Sequence, residues 1–369
     1  MTLSQGEAFA RIRLLRSPNI GPVSYGQLLA RFGTAAAAVE ALPDLAARGK
    51  ARYRAAPAEV IEREVEAVRR AGARYLFHDQ PAFPPLLREI SGAPPIVTCR
   101  GQGELALAPC VAMVGARNAS AAAVKLARDF AAALAGEGFA VVSGLARGID
   151  GAAHEGALSA SGARTIGVIA SGIDIAYPPQ HATLQEQIAA EGLLIAEQPP
   201  GTEPRGSHFP SRNRIIAGLA AGTLVVEAAP QSGSLITARL AGEAGREVMA
   251  IPGSPLDARA SGCNQLIRDG AVLVQTPDDV IEVLRDFTGR PRSMLRDTAH
   301  AWEPSREEWA EAEPAVLSDL LSAAPVAVDE LIRQSGESAA AVQLALLELE
   351  LAGNLVRHAG GKVSLSTQA

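Results

Sequence analysis

Apolar positions in the middle of the chain fall into short runs separated by longer stretches of helical spacing. The runs are 110–114 (CVAMV), 139–142 (FAVV), 164–169 (RTIGVI), 193–196 (LLIA), 223–226 (TLVV), 247–251 (EVMAI) and 271–274 (AVLV). Helical periodicity occupies 120–136, 150–160, 183–190, 212–221, 233–244 and 262–269 between them. Strands apolar on both faces need cover on both faces. The alternation therefore predicts an α/β fold, a Rossmann-like, doubly wound, mostly parallel sheet over residues 76–288. The start of that region is rich in proline (Pro81, Pro84, Pro85, Pro94, Pro95) around one strand-like run at 96–99. It reads as a lead-in or an added sheet edge.

The flanks follow helical patterns. Residues 1–75 predict a small helical domain, SAM-like or helix-hairpin-helix-like, with apolar spacing at 7–15, a break at 17–22 and resumption at Leu28, Leu29 and Phe32. The break is either a phosphate-contacting turn or a plain connector. Residues 289–313, with Pro291, Pro304 and many charges, read as a linker. Residues 314–369 read as three helices and a hairpin around Gly360 and Gly361, a winged-helix outline.

The chain has 369 residues, 48% of them hydrophobic, enough for two or three domains with sizeable cores. No uncharged apolar run is long enough to predict a membrane span, and the N-terminus lacks the apolar stretch of a signal peptide. The expected location is the cytoplasm. Cys99, Cys110 and Cys263 form no paired motif and read as buried reduced thiols, so no metal and no cofactor is expected. The net charge of −6 argues against non-specific attraction to nucleic acid. Its distribution changes the picture: residues 1–75 hold twelve Lys or Arg against seven Asp or Glu, whereas 314–369 hold three against six. The predicted reading helix at 338–352 carries Glu348 and Glu350 and no cation, which predicts a protein-contact or structural role for the tail.

The loops expected at the C-terminal ends of the strands carry the chemistry. The first contains Gly115, Arg117 and Asn118, and the second Ser143, Gly144, Arg147 and Gly148. Two more open helices, with Phe209, Arg212, Asn213 and Arg214, and with Ser232, Gly233, Ser234 and Thr237. Glycine lets the backbone approach closely, helix-start amides favour anions, and arginines add charge-assisted contacts. Together they predict a site for a polyphosphate or nucleic-acid backbone. Neither a dinucleotide fingerprint nor a P-loop is present. Arg212 and Arg214 lie two apart on a helix start, so one is expected on phosphate and the other on a neighbouring loop. Asp150 and His154, at i and i+4, read as pocket-orienting groups rather than an acid–base pair. Glu227 reads as a clamp on Thr237 or an arginine. Tyr177 and Phe209 either stack on bases or pack the loops.

The strings VGARN (114–118), SGLARGID with His154 (143–154), YPP (177–179), FPSRNRIIAGLA (209–220), VVEA with SGSLITA (225–238) and IPG (251–253) resemble the DNA-processing protein A (DprA/Smf) family. Ala116 departs from the pattern, where the family has a small hydroxyl residue. The resemblance implies a homodimer that binds single-stranded DNA, protects it during natural transformation and loads RecA, without being an enzyme. It implies that Arg117 contacts DNA, that 143–150 and 211–214 wall the pocket, and that the 247–275 region, with Ile267 and Leu273, carries self-association. The rival reading is a nucleotide-hydrolysing enzyme of the phosphoribohydrolase type. That chemistry uses P-G-G-x-G-T-x-x-E, and the segment 232–237 lacks its glutamate.

Overall fold

The computed structural model describes residues 3–49, 52–285, 314–358 and 360–366, so the expected linker at 289–313 lies outside the described residues. The helices α1 (Gln5–Arg16), α2 (Pro22–Phe32), α3 (Ala35–Arg48) and α4 (Ala58–Arg70) come first. Then follow β1 (Arg74–Phe77), α5 (Pro85–Glu89), β2 (Ile96–Gly101), β3 (Cys110–Val114), α6 (Ala121–Gly136), β4 (Ala140–Ser143), α7 (Ile149–Ser159) and β5 (Thr165–Gly172). Next come α8 (Ala182–Glu191), β6 (Leu193–Gln198), α9 (His208–Leu219), β7 (Gly222–Val225), α10 (Gly233–Glu243), β8 (Glu247–Ala250), α11 (Ser261–Arg268), β9 (Val272–Leu273) and α12 (Pro277–Leu284). The C-terminal part adds α13 (Pro314–Leu320), β10 (Val326–Ala327), α14 (Val328–Ser335), α15 (Ala339–Leu351), β11 (Leu355–His358) and β12 (Lys362–Leu365).

The contacts divide the chain into two compact units, and the division falls within α4. The larger unit is a nine-stranded sheet in the order β1-β2-β6-β5-β4-β3-β7-β8-β9. The strands β3 to β9 run parallel, while β2 joins β6, and β1 joins β2, antiparallel. The Pro-rich lead-in is thus an added edge. β3 shows why the sheet is covered twice, since all five of its residues are buried. Cys110, Ala112 and Val114 point to one core, which holds Ile215 and Ile216 of α9 and Ala238 of α10. Val111 and Met113 point to the other, against Phe130 and Leu134 of α6 and Ala153 of α7. The chain winds outward from β3 in both directions, so the order reverses between β3 and β7. Ligands of open α/β sheets bind at such a reversal, beyond the strands' C-terminal ends.

The smaller unit combines α1–α3 with α13–α15 and the sheet β10-β12-β11. Its two apolar clusters share α15, which supplies Leu344, Leu347 and Leu351 to one and Val342, Leu346 and Leu349 to the other.

Packing tightness in the larger unit is set by small residues where α6 and α7 cross. A Cβ at Gly156 would lie 2.2 Å from the Arg128 carbonyl oxygen, so the backbones touch there. Gly156→Ala is expected to destabilise the protein by about 1–3 kcal/mol, an overpacking cost. A urea titration with an unchanged midpoint would show that the crossing is looser than described.

A candidate nucleic-acid interface at the sheet reversal

A groove of about 810 Å³ lies at the reversal, bounded by Gly115, Arg117 and Asn118, by Arg212 and Asn213, and by Ser232, Gly233, Ser234 and Thr237. A side pocket of about 250 Å³ adjoins it, between the loop after β4 and the segment 177–180. Arg117, Ala146, Phe209 and Arg212 line both, so they form the partition. The two spaces are adjoining compartments of one site.

Arg212 is the buried centre of this partition. Its guanidinium lies across the backbone at Gly144, where a Cβ would sit 1.5 Å from Nη1. Nη1 is 3.9 Å from the Asp150 carboxylate, and both side chains are over nine-tenths buried. Asp150 also accepts from the amides of Gly144 (3.1 Å) and Ala146 (3.4 Å). Burial pushes the Asp150 carboxyl above the usual range, opposed by the Arg212 charge and these amides. Burial likewise lowers Arg212, and the Asp150 charge holds it up. The Arg212 Nε has no hydrogen-bond partner, which leaves donor capacity at the partition.

The exposed side of the partition is aromatic and cationic. The Arg117 guanidinium sits 5.1 Å from the Phe209 ring centroid, and Phe209 lies 5.7 Å from Tyr177 at a 56° tilt. Tyr177 is 42% exposed, so its face is open to a planar ligand. Arg147 lines the side pocket and is exposed. Arg117 makes no salt bridge among the described residues.

Several expected roles change. α9 begins at His208, so Phe209, Arg212 and Asn213 sit on its first turns. Residues two apart on a helix point roughly 200° away from each other. Arg212 accordingly faces the groove, whereas Arg214 pairs with Glu197 and lines neither compartment. Ser143 is wholly buried and donates to the Met113 carbonyl (2.6 Å), so its hydroxyl does not reach the groove. Gly148, at φ 78°, packs where a Cβ would lie 2.3 Å from the Ala116 carbonyl oxygen. It is there for loop closure.

The glycine-loop amides are also less open than expected. Those of Gly144 and Ala146 go to Asp150, that of Ala116 to the Glu227 carbonyl (2.8 Å) and that of Ile149 to the Ala116 carbonyl (3.3 Å). Glu227 clamps neither Thr237 nor an arginine. Its carboxylate accepts from the Ser120 amide (3.0 Å) and hydroxyl (2.6 Å), fixing the start of α6. Ile267, on α11, packs against the core, whereas Leu273 on the edge strand β9 is 46% exposed.

Asp150 and His154 make their bonds elsewhere. His154 is fully buried, and its Nδ1 lies 2.7 Å from the Thr165 hydroxyl. Burial, helped by the charges of His181 and Arg212, lowers its pKa to about 3. Asp150 is the sole carboxylate lining the groove, and it is committed to Arg212 and two amides. Sequence reasoning did not single out Arg259 or Gln231, both of which line the groove. A lone arginine in an irregular loop, here 3.0 Å from Asp257, carries no pattern to find it by.

Residues 74–285 match the family model for DNA recombination-mediator protein A. The chain belongs to that family. Residues 5–67 match the DprA-like N-terminal HHH domain, and 300–361 the DprA winged helix domain. The family is described as one of DNA recombination mediators. Among its relatives, the DNA processing protein DprA of Streptococcus pneumoniae is 46% identical over 199 residues, covering 54% of this chain and 70% of the relative. Protein Smf of Synechocystis is 36% identical over 320 residues, covering 78% of this chain and 79% of the relative. The crystal structure of the S. pneumoniae protein superposes with a TM-score of 0.62 at 34% identity, over 76% of this chain and 98% of that one. A Helicobacter pylori DprA structure, described for its single-stranded DNA binding mode, gives 0.52 at 28% identity, over 58% and 97%. Among the described residues, no helix of this DprA-family chain is long and apolar enough to cross a membrane. Its three cysteines are free and buried.

The buried histidine carries a pH signature. Its folded pKa of about 3 lies below the ordinary value near 6.5, so the unfolded chain takes up this proton first as the pH falls. Stability that His154 contributes above roughly pH 6.5 is therefore lost as the pH drops towards 3. His154→Gln should flatten the acid limb of melting temperature against pH. Superimposable acid limbs in the two proteins would refute the buried neutral imidazole.

Proposed function

We propose that the groove and its side pocket together bind the backbone of single-stranded DNA, with Arg117, Arg147 and Arg212 on phosphates and the Tyr177–Phe209 rings against bases. The supporting observation is the partition itself: one buried, prepaid arginine and one exposed arginine flank an aromatic face at the sheet reversal. The H. pylori relative, described as binding single-stranded DNA, supports the same reading. An open groove with three cations and few aromatic rings favours sequence-tolerant binding carried by phosphates. The protein would act in the cytoplasm, where free thiols persist, protecting incoming strands during transformation and passing them to RecA. The chain would fall into helical, Rossmann-like and winged-helix domains at 1–75, 76–288 and 314–369. Self-association would use the β9 edge, where an unpaired strand side presents Leu273.

Fluorescence anisotropy with a labelled oligothymidine tests the site. Arg117→Glu should weaken binding by roughly tenfold to a hundredfold, the loss of a charge-assisted bond plus added repulsion. Arg214→Gln should leave affinity within about twofold, since charge alone is a minor term away from phosphate contact. Three neutralised phosphates predict a slope of log affinity against log salt of about −2. Equal losses in the two variants would mean a diffuse charge effect and no defined groove.

The edge strand gives a separate test. Leu273→Arg should move the sedimentation profile from dimer to monomer while the isolated sheet stays folded. A dimer that survives the substitution would place self-association elsewhere.

A further inference from the structure

In the smaller unit the N-terminal helices and the winged-helix part cover each other's apolar faces. α15 occupies the place of a winged helix's groove-reading helix. It is apolar all round, with Leu344, Leu346, Leu347 and Leu349 all nearly inaccessible. A helix of that kind needs cover on every side. Val342, Leu346 and Leu349 face the core made with α13, α14 and the hairpin. Leu344, Leu347 and Leu351 form a stripe at i, i+3 and i+7 and pack against Leu14, Tyr25, Leu28 and Leu42 of α1–α3. The face that would enter a major groove is therefore filled by the N-terminal helices.

Polar contacts fix the pairing. The Ser24 hydroxyl in the first turn of α2 donates to the Glu350 carboxylate (2.8 Å), and Arg357 of β11 donates to the same group (2.8 Å). Gln27 donates to Gln343 (2.7 Å), and the Asn19 amide to the Leu351 carbonyl (3.2 Å). Glu348, 1% exposed, lies 3.6 Å from Arg48. A Cβ on Gly49 would come within 2.6 Å of the Glu348 carbonyl oxygen and 2.7 Å of Ala352 Cβ. Asn19 belongs to the break at 17–22, which the sequence left as either a phosphate-contacting turn or a plain connector, and Ser24 to the first turn of the helix that follows it.

We propose that α15 is an intramolecular docking helix whose partner is the α1–α3 bundle of the same chain, and that the winged helix joins the chain's ends instead of reading duplex DNA. The acidic and apolar make-up of α15 suits a protein partner and opposes phosphates. This assignment goes beyond the groove and does not depend on it.

The test uses the full chain with a protease site inserted between 286 and 313, cut after folding. The two pieces should elute together from gel filtration in native buffer and separate only in denaturant. Gly49→Leu, a wedge at the contact, should make the cut pieces separate or bind more weakly. Gln343→Lys, on the docked face, should leave duplex affinity unchanged by gel shift. Separation of the cut, otherwise unaltered protein would overturn the proposal. So would a gain in duplex affinity for Gln343→Lys with a salt slope steeper by about one, the mark of a new phosphate contact.

Discussion

A guanidinium held over a backbone with no side chain organises this site. Arg212 can lie across Gly144 because residue 144 has no Cβ, and it can stay buried because Asp150 faces it. Stripping water from two charges costs several kcal/mol per ion. The ion pair and two backbone amides offset that cost for the acid. The arginine is therefore fixed in place before any ligand arrives, with its Nε still without a partner. A cation already ordered loses little side-chain entropy on binding, which is where exposed arginines lose affinity.

That arrangement reassigns the glycines. Their loops were expected to offer amides to anions, yet the amides of Gly144, Ala146, Ala116 and Ile149 are consumed in closing the loops onto one another. Gly148 lets the second loop touch the first, and Leu145 adopts φ 58° while wholly buried, a strained conformation in the same loop. The loops thus act as a rigid frame. What remains for a ligand is carried by Arg117, Arg147, Arg212 and the Tyr177–Phe209 pair, with the start of α10 on the far side of the groove.

The end unit obeys the same economy of polar groups. Glu348 and Glu350, which looked like a negative patch that repels DNA, face Arg48, Ser24 and Arg357 inside the fold. A helix with no cation and no polar face is stable only as a shared core element, and α15 is shared between two clusters.

The sequence by itself determined the sheet, because strands buried on both faces must be written as unbroken apolar runs, and each of the seven expected runs contains or overlaps a parallel strand. It also determined which loops flank the reversal, since glycine and arginine cluster at the ends of the apolar runs. It did not place α3, α4, α5 or α12 as separate helices, the first two lying inside a region read only as a helical domain and the others beside Pro-rich or charged stretches read as a lead-in and a linker. Only the tertiary structure decided which arginine faces the groove. Arg212 and Arg214 are chemically identical, and the difference is the 200° turn between them and what each side meets, Gly144 with Asp150 or Glu197. It likewise decided that residues some 300 positions apart, such as Ser24 and Glu350, share one hydrogen bond. Local pattern encodes which face of an element is apolar; the partner that covers that face is set by chain folding over distances that no local pattern spans.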